Sequence, residues 1–175
     1  DVRGDCTMTT LYVDNIAPNL QSKISAPNLT LPAGSVVQVV REFVSNVPSP
    51  IAVSTSAFTP SGVTASITPT KNNSLILIDF TVSMADGTSD ALTGRMYYKI
   101  GTGSYQILDG GGNYQIAYAS GTTARYAPIA FGGKLTATST DAITVQPYIR
   151  SASGGTARLA HSAASYALTL TEVAQ

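Results

Sequence analysis

From Pro32 to the C-terminus the chain alternates apolar and polar residues over short stretches separated by turn-forming residues, the pattern of β-strands, whose side chains point to opposite faces with period two. The clearest stretch is Ser74–Ser83, in which Ile76, Ile78, Phe80 and Val82 fall on one face and Asp79, Thr81 and Ser83 on the other. The first set is expected to face the core. Ala142–Arg150 repeats the scheme with Ile143, Val145 and Ile149 inward, and its Pro147 predicts an edge strand or a bulge, because proline cannot donate to a ladder. In Tyr166–Val173, Leu168 and Leu170 oppose Thr169 and Thr171, so the C-terminal segment is expected to be a packed strand. Further strands are predicted at 63–69, 92–100, 104–108 and 127–138. Val36–Val44 is apolar at both phases of the alternation, which predicts a strand buried on both faces. Turns are expected at Lys71–Asn73, Asp86–Gly87, Asp109–Asn113, Gly132–Gly133 and Gly154–Gly155.

Strands at this spacing predict an all-β fold, an antiparallel β-sandwich of the jelly-roll type, carrying an extended N-terminal arm. Residues 1–46 form the arm and first strand, and residues 47–175 the sandwich head. The arm is polar and broken by Pro18, Pro27 and Pro32, so no helical period persists. It carries Leu11, Tyr12, Val13, Ile16, Leu20, Leu29 and Leu31, more apolar side chains than a disordered tail has, and these are expected to be buried on a partner surface. A natural start at Met8 would make the first seven residues an upstream extension, and processing of the chain would leave the same pattern.

Composition agrees with strands. Charged residues are only 11% of the 175, against about 25% in an average domain. The net charge is zero and no run of like charge occurs, so neither nucleic acid nor an anionic membrane is an expected partner. The longest aliphatic run, Leu75–Ile78, falls far short of the ~20 residues of a membrane-spanning helix. A weakly charged surface gives little protection against self-association, which points to an oligomer that covers its apolar faces.

Candidate chemistry is sparse. The single histidine, His161, lies in Arg158–Ser162 with no nucleophile elbow beside it and is expected to be structural. One histidine and one cysteine, Cys6, cannot build a zinc site or an intrachain disulfide within one chain. Asp86–Asp90 lacks the alternating carboxylates and distal glutamate of an EF-hand loop, and Gly110–Gly112 lacks the Lys-Ser/Thr of a phosphate loop. The head's carboxylates are Asp79, Asp86, Asp90, Asp109, Asp141 and Glu172, and only a structure can say whether two of them stand at a glycosidase separation. The expectation is a protein without enzymatic activity, cofactor or metal. One cluster suggests recognition: Tyr97, Tyr98, Tyr105, Tyr114, Tyr118 and Tyr126 fall in a Gly- and Ser-rich stretch, and tyrosine offers large contact area at low entropic cost. Such a surface suits a sugar or a neighbouring subunit.

Met8–Ile16, Leu31–Val40 and Tyr166–Val173 together resemble virion proteins of tailed bacteriophages, particularly of cyanobacterial and marine phages. The head resembles the trimeric jelly roll shared by C1q and tumour necrosis factor. This resemblance implies a homotrimer on the exterior of a virion. Its implied role is capsid decoration (a cement or head-fibre protein), with the arm docking on the major capsid protein. The alternative is the tip of a tail or head fibre that recognises a host surface glycan. The absence of Trp, of heptads and of a shaft repeat departs from long fibre proteins.

Overall fold

The computed structural model describes residues 31–87, 91–108, 114–118 and 125–175, with side chains omitted at 86–87, 114–118 and 125–126. The compact unit is Leu31–Gln175. The predicted arm, including Leu11, Tyr12, Val13, Ile16, Leu20 and Leu29, lies outside the described residues. Leu31, the last arm residue, is half-buried just ahead of the first strand.

Among the described residues there are twelve strands: β1 Val36–Val44, β2 Ile51–Val53, β3 Thr59–Pro60, β4 Ala65–Ile67, β5 Leu75–Gly87, β6 Ala91–Ile100, β7 Gln106–Ile107, β8 Tyr114–Tyr118, β9 Arg125–Thr136, β10 Ile143–Ser151, β11 Ala157–Ala160 and β12 Tyr166–Val173. All their pairings are antiparallel and fall into two sheets. Several strands are halves of one interrupted strand. β12 and β11 lie end to end along the edge of β5 opposite β9, and β1 and β2 continue beside them. The two interruptions, 45–50 and 161–165, are stitched together, since Val47 N–H donates to Ala164 O at 2.8 Å and Ala163 N–H to Val47 O at 2.9 Å. In the second sheet β3 and β4 share one edge of β10, and β7 and β8 share one edge of β6.

Merging these four pairs of the twelve strands leaves eight chain segments. The first sheet orders them first, eighth, third, sixth, and the second orders them second, seventh, fourth, fifth. That interleaving is the double Greek key of a jelly roll, as the sequence pattern predicts.

One core fills the space between the sheets. Ile76, Ile78, Phe80, Val82, Leu168 and Leu170 enter it from the first sheet, and Leu92, Met96, Ile143, Val145 and Ile149 from the second. Phe80 packs edge-on against Phe131, with ring centroids 5.3 Å apart. Such pairs prefer this geometry because the positive ring edge meets the negative face.

Four sequence expectations are corrected. Asp86–Gly87, predicted as a turn, is the end of β5 and pairs with Tyr126 and Arg125 of β9. β1 is half-buried on one face and exposed on the other. It pairs with β12 at the margin of the first sheet, where Val36, Val39 and Phe43 stay 59%, 56% and 54% exposed. Gly132–Gly133 is no turn but the middle of β9, paired with Asp79 and Ile78. β10 is an interior strand, between β6 on one side and β3 and β4 on the other. Pro147 is tolerated there because its carbonyl, and hence its ring nitrogen, faces the gap between β3 and β4. Ser61 N–H closes that gap on the Pro147 oxygen at 3.0 Å.

Candidate functional site

The outer face of the second sheet gathers most of the described aromatic side chains outside the core, together with Arg95, Lys99 and Arg150. The cause is alternation. On β6, Leu92 and Met96 turn inward, which sends Thr93, Arg95, Tyr97 and Lys99 outward. On β10, Ile143, Val145 and Ile149 turn inward, which sends Thr144, Gln146, Tyr148 and Arg150 outward. The register then sets these in rows: Arg150 beside Thr93, Tyr148 beside Arg95, Gln146 beside Tyr97 and Thr144 beside Lys99. Phe58, just ahead of β3, completes the Arg150 row.

Contacts within the face are specific. The Arg95 and Arg150 guanidinium groups stack on Phe58 at 4.6 and 4.8 Å from its ring centre. Tyr97 and Tyr148 stack on each other at 4.0 Å. Tyr105 stands 5.9 Å from Tyr148, and the Lys99 ammonium lies 5.3 Å from the Tyr105 ring. Cation–π contacts of this kind hold a charge in place at the surface. The strands of this sheet contain Arg95, Lys99 and Arg150 and not one aspartate or glutamate. In the adjoining turn, Asp141 accepts a hydrogen bond from Ser139 Oγ at 3.1 Å. Partial burial, and then repulsion from Tyr105 and Tyr97, push the Tyr148 hydroxyl above the ordinary tyrosine range.

Of the predicted recognition tyrosines, the structure brings Tyr97 and Tyr105 together here. Tyr98 has the opposite phase and packs against the core, its hydroxyl 3.4 Å from Gln106 Oε1. Tyr114 and Tyr118 lie on β8 and Tyr126 on β9, with their side chains outside the described residues. Phe58, Arg95, Tyr148 and Arg150 are missing from the sequence reading. The period-two spacing of Arg95-x-Tyr97-x-Lys99 and Tyr148-x-Arg150, opposite the apolar phase, is the signal that points to them.

The other candidates resolve plainly. Asp79 is exposed on the outer face of the first sheet while Glu172 is fully buried between the sheets, so these two carboxylates make no glycosidase pair. Asp86, Asp90 and Asp109 have side chains outside the described residues. His161 makes local contacts, its Nδ1 lying 3.1 Å from Ser162 O and 3.2 Å from Ser162 Oγ. No group of metal-ligating side chains occurs among the described residues. No described helix is long and apolar enough to cross a membrane.

A shallow depression of about 500 Å³ marks the first sheet's outer face, lined by Arg41, Phe43, Thr81, Pro128, Ala130 and Tyr166 among others. Arg41 lies 4.9 Å over the Phe43 ring at its rim.

No protein-family model and no curated protein matches the sequence. Among solved structures, the infectious bursal disease virus VP2 subviral particle is similar with a TM-score of 0.51 and 13% identity, over 89% of this chain and 38% of that one. The structure of the Gx strain of the same virus gives 0.42 and 17%, over 88% and 37%. The CBM22-1 xylan-binding domain of Paenibacillus barcinonensis Xyn10C gives 0.31 and 12%, over 83% and 99%. The chain thus spans 38% and 37% of the two viral chains. At 13% identity the likeness to the VP2 subviral particle shows the fold alone.

Proposed function

We propose that this chain is a non-enzymatic structural protein of a virion. It acts as a homotrimer that decorates the capsid exterior, docks on the major capsid protein through its N-terminal arm and stabilises the shell. The observation that carries the reading is the jelly-roll strand order, shared in outline with a viral particle protein. The exposed apolar margin adds to it. Val36, Val39 and Phe43 lie on a nine-residue strand at the edge of the first sheet, directly downstream of the arm. An exposed apolar edge strand is a liability unless a partner covers it. A symmetric trimer also multiplies weak arm contacts, since three linked arms bind with avidity.

Removing residues 1–33 tests the arm. The truncated chain keeps Gly34, whose N–H is bonded to Ala174 O at 2.8 Å, and so retains the first sheet's margin. It is expected to sediment free of capsids that the full chain decorates, with an affinity loss of about a hundredfold or more. Unchanged binding would refute the docking role.

The row of Tyr148, Tyr97 and Tyr105 favours a second reading, a fibre tip that recognises a host surface glycan. Copy number separates the two, because decoration covers the shell whereas a tip occurs at few sites.

A further inference from the structure

We infer that the outer face of the second sheet binds an acidic polysaccharide, whose carboxylate or sulfate groups are taken by Arg95, Arg150 and Lys99 while its sugars lie along Tyr97, Tyr105 and Tyr148. The inference rests on the glycan reading just given and assigns that glycan its charge and its place on the fold.

Charge complementarity is the first argument. In a chain with zero net charge, the strands of this sheet carry three cations and no carboxylate. The second argument is preorganisation. Stacking on Phe58 fixes the planes of two guanidinium groups, and a fixed planar fork matches the two oxygens of a carboxylate or sulfate. Arg150 Nε is buried and finds no acceptor among the described residues. A buried donor of this kind calls for a water or an ion. Third, Lys99 is four residues from Arg95 on the same face of β6, about 13 Å along the strand. That separation suits acid groups on non-adjacent sugars of one chain.

The rings favour a sugar over other polyanions. Nucleobases bind single-strand readers by stacking on open aromatic faces. Here Phe58 is engaged by two guanidinium groups and Tyr97 and Tyr148 cover one another. Hydroxyls remain on offer from the half-exposed Tyr97, Tyr105, Tyr148 and Thr144, and these suit a hydroxyl-rich ligand. An acidic peptide adding to a sheet needs an open strand edge, whereas β6 and β10 are both interior.

The test uses the full chain in affinity electrophoresis and biolayer interferometry. The probes are polygalacturonate, dextran sulfate, neutral dextran, poly-L-glutamate and oligothymidylate. The expected result is retention by polygalacturonate or dextran sulfate that weakens with salt, and no retention by dextran. R150K, which keeps the charge but loses the fork, and Y148A are each expected to weaken binding about tenfold or more. R41Q, on the other sheet, leaves binding unchanged. K99Q serves as a further variant if either of the first two alters the melting temperature. Equal retention by dextran would overturn the acidic ligand while leaving the glycan reading intact. No retention by any polysaccharide would remove both. Equal or tighter binding of poly-L-glutamate or oligothymidylate would overturn the sugar. Binding lost in R41Q but kept in R150K, Y148A and K99Q would overturn the face.

Discussion

The G132A variant is expected to lose about 3 kcal/mol or more of stability, or to fail to fold. Gly132 lies in the middle of β9, paired with Asp79 of β5. A Cβ there would run into the Ile78 carbonyl oxygen, and would stand 3.0 Å from the Ile78 carbonyl carbon and 3.2 Å from the Asp79 Cα. All three are backbone atoms of the central strand of the first sheet, so no side chain can swing away to make room. Relief requires β5 and β9 to separate over the stretch that holds Ile78 and Phe80 in the core. Gly133 makes a useful contrast. Its added Cβ would meet the Leu108 side chain at 2.7 Å, a group that can move, so G133A is expected to cost less. Urea denaturation of the two variants checks the order. An unperturbed G132A would show that the backbones are not so close.

Removing the Glu172 carboxylate is the second large effect expected. Glu172 is fully buried on β12, turned inward like its neighbours Leu168 and Leu170. It is the acceptor that ties the 70–74 turn and β1 to the core. Thr70 donates to its Oε1 through both N–H and Oγ1 at 2.8 Å, and Gln38 Nε2 donates to its Oε2 at 2.6 Å. The same Gln38 amide also donates to Thr68 O at 2.6 Å. Burial alone would raise the carboxyl's pKa. The hydrogen bonds from Ser74, Thr70 and Gln38 outweigh it, and the net shift is downward from 4.5.

Alanine in place of Glu172 orphans these donors, and the expected cost is about 3–5 kcal/mol. Glutamine preserves the shape but sets an amide N–H against donors, with a cost of about 2–3 kcal/mol. The pH dependence follows from the lowered value. The unfolded chain takes up this proton more readily, so the stability contributed by ionised Glu172 is present above the ordinary glutamate pKa. It is lost as pH falls through the depressed folded value. Denaturation midpoints measured down the acid limb should therefore fall less steeply in E172Q than in the unmodified chain. Parallel slopes would mean that the clasp is not ionised in the folded state.

The inward faces of β5, β10 and β12 were legible in the sequence because alternation within one strand is local information. The eight predicted strands all appear, six of them with shifted ends, but the short β2, β3 and β11 have too few residues to show a period. What failed was non-local. The apolar phases of Val36–Val44 look the same at a sheet margin and at its centre, and only the pairing of β1 with β12 distinguishes them. Gly132–Gly133 has turn composition, yet its glycines answer the close approach of β5 and Leu108. The candidate site was half visible. Clustering in sequence drew attention to Tyr97, Tyr98 and Tyr105, but phase divides them, turning Tyr98 inward. Tyr148 and Arg150 reach the same face from a strand some fifty residues further on, through pairing of β10 with β6.

Light scattering on the purified full chain, alone and with capsids, tests the proposed role most directly. The account predicts a stable species of three times 18.1 kDa that loads capsids in many copies. A stable monomer of 18.1 kDa that leaves capsids bare would contradict it.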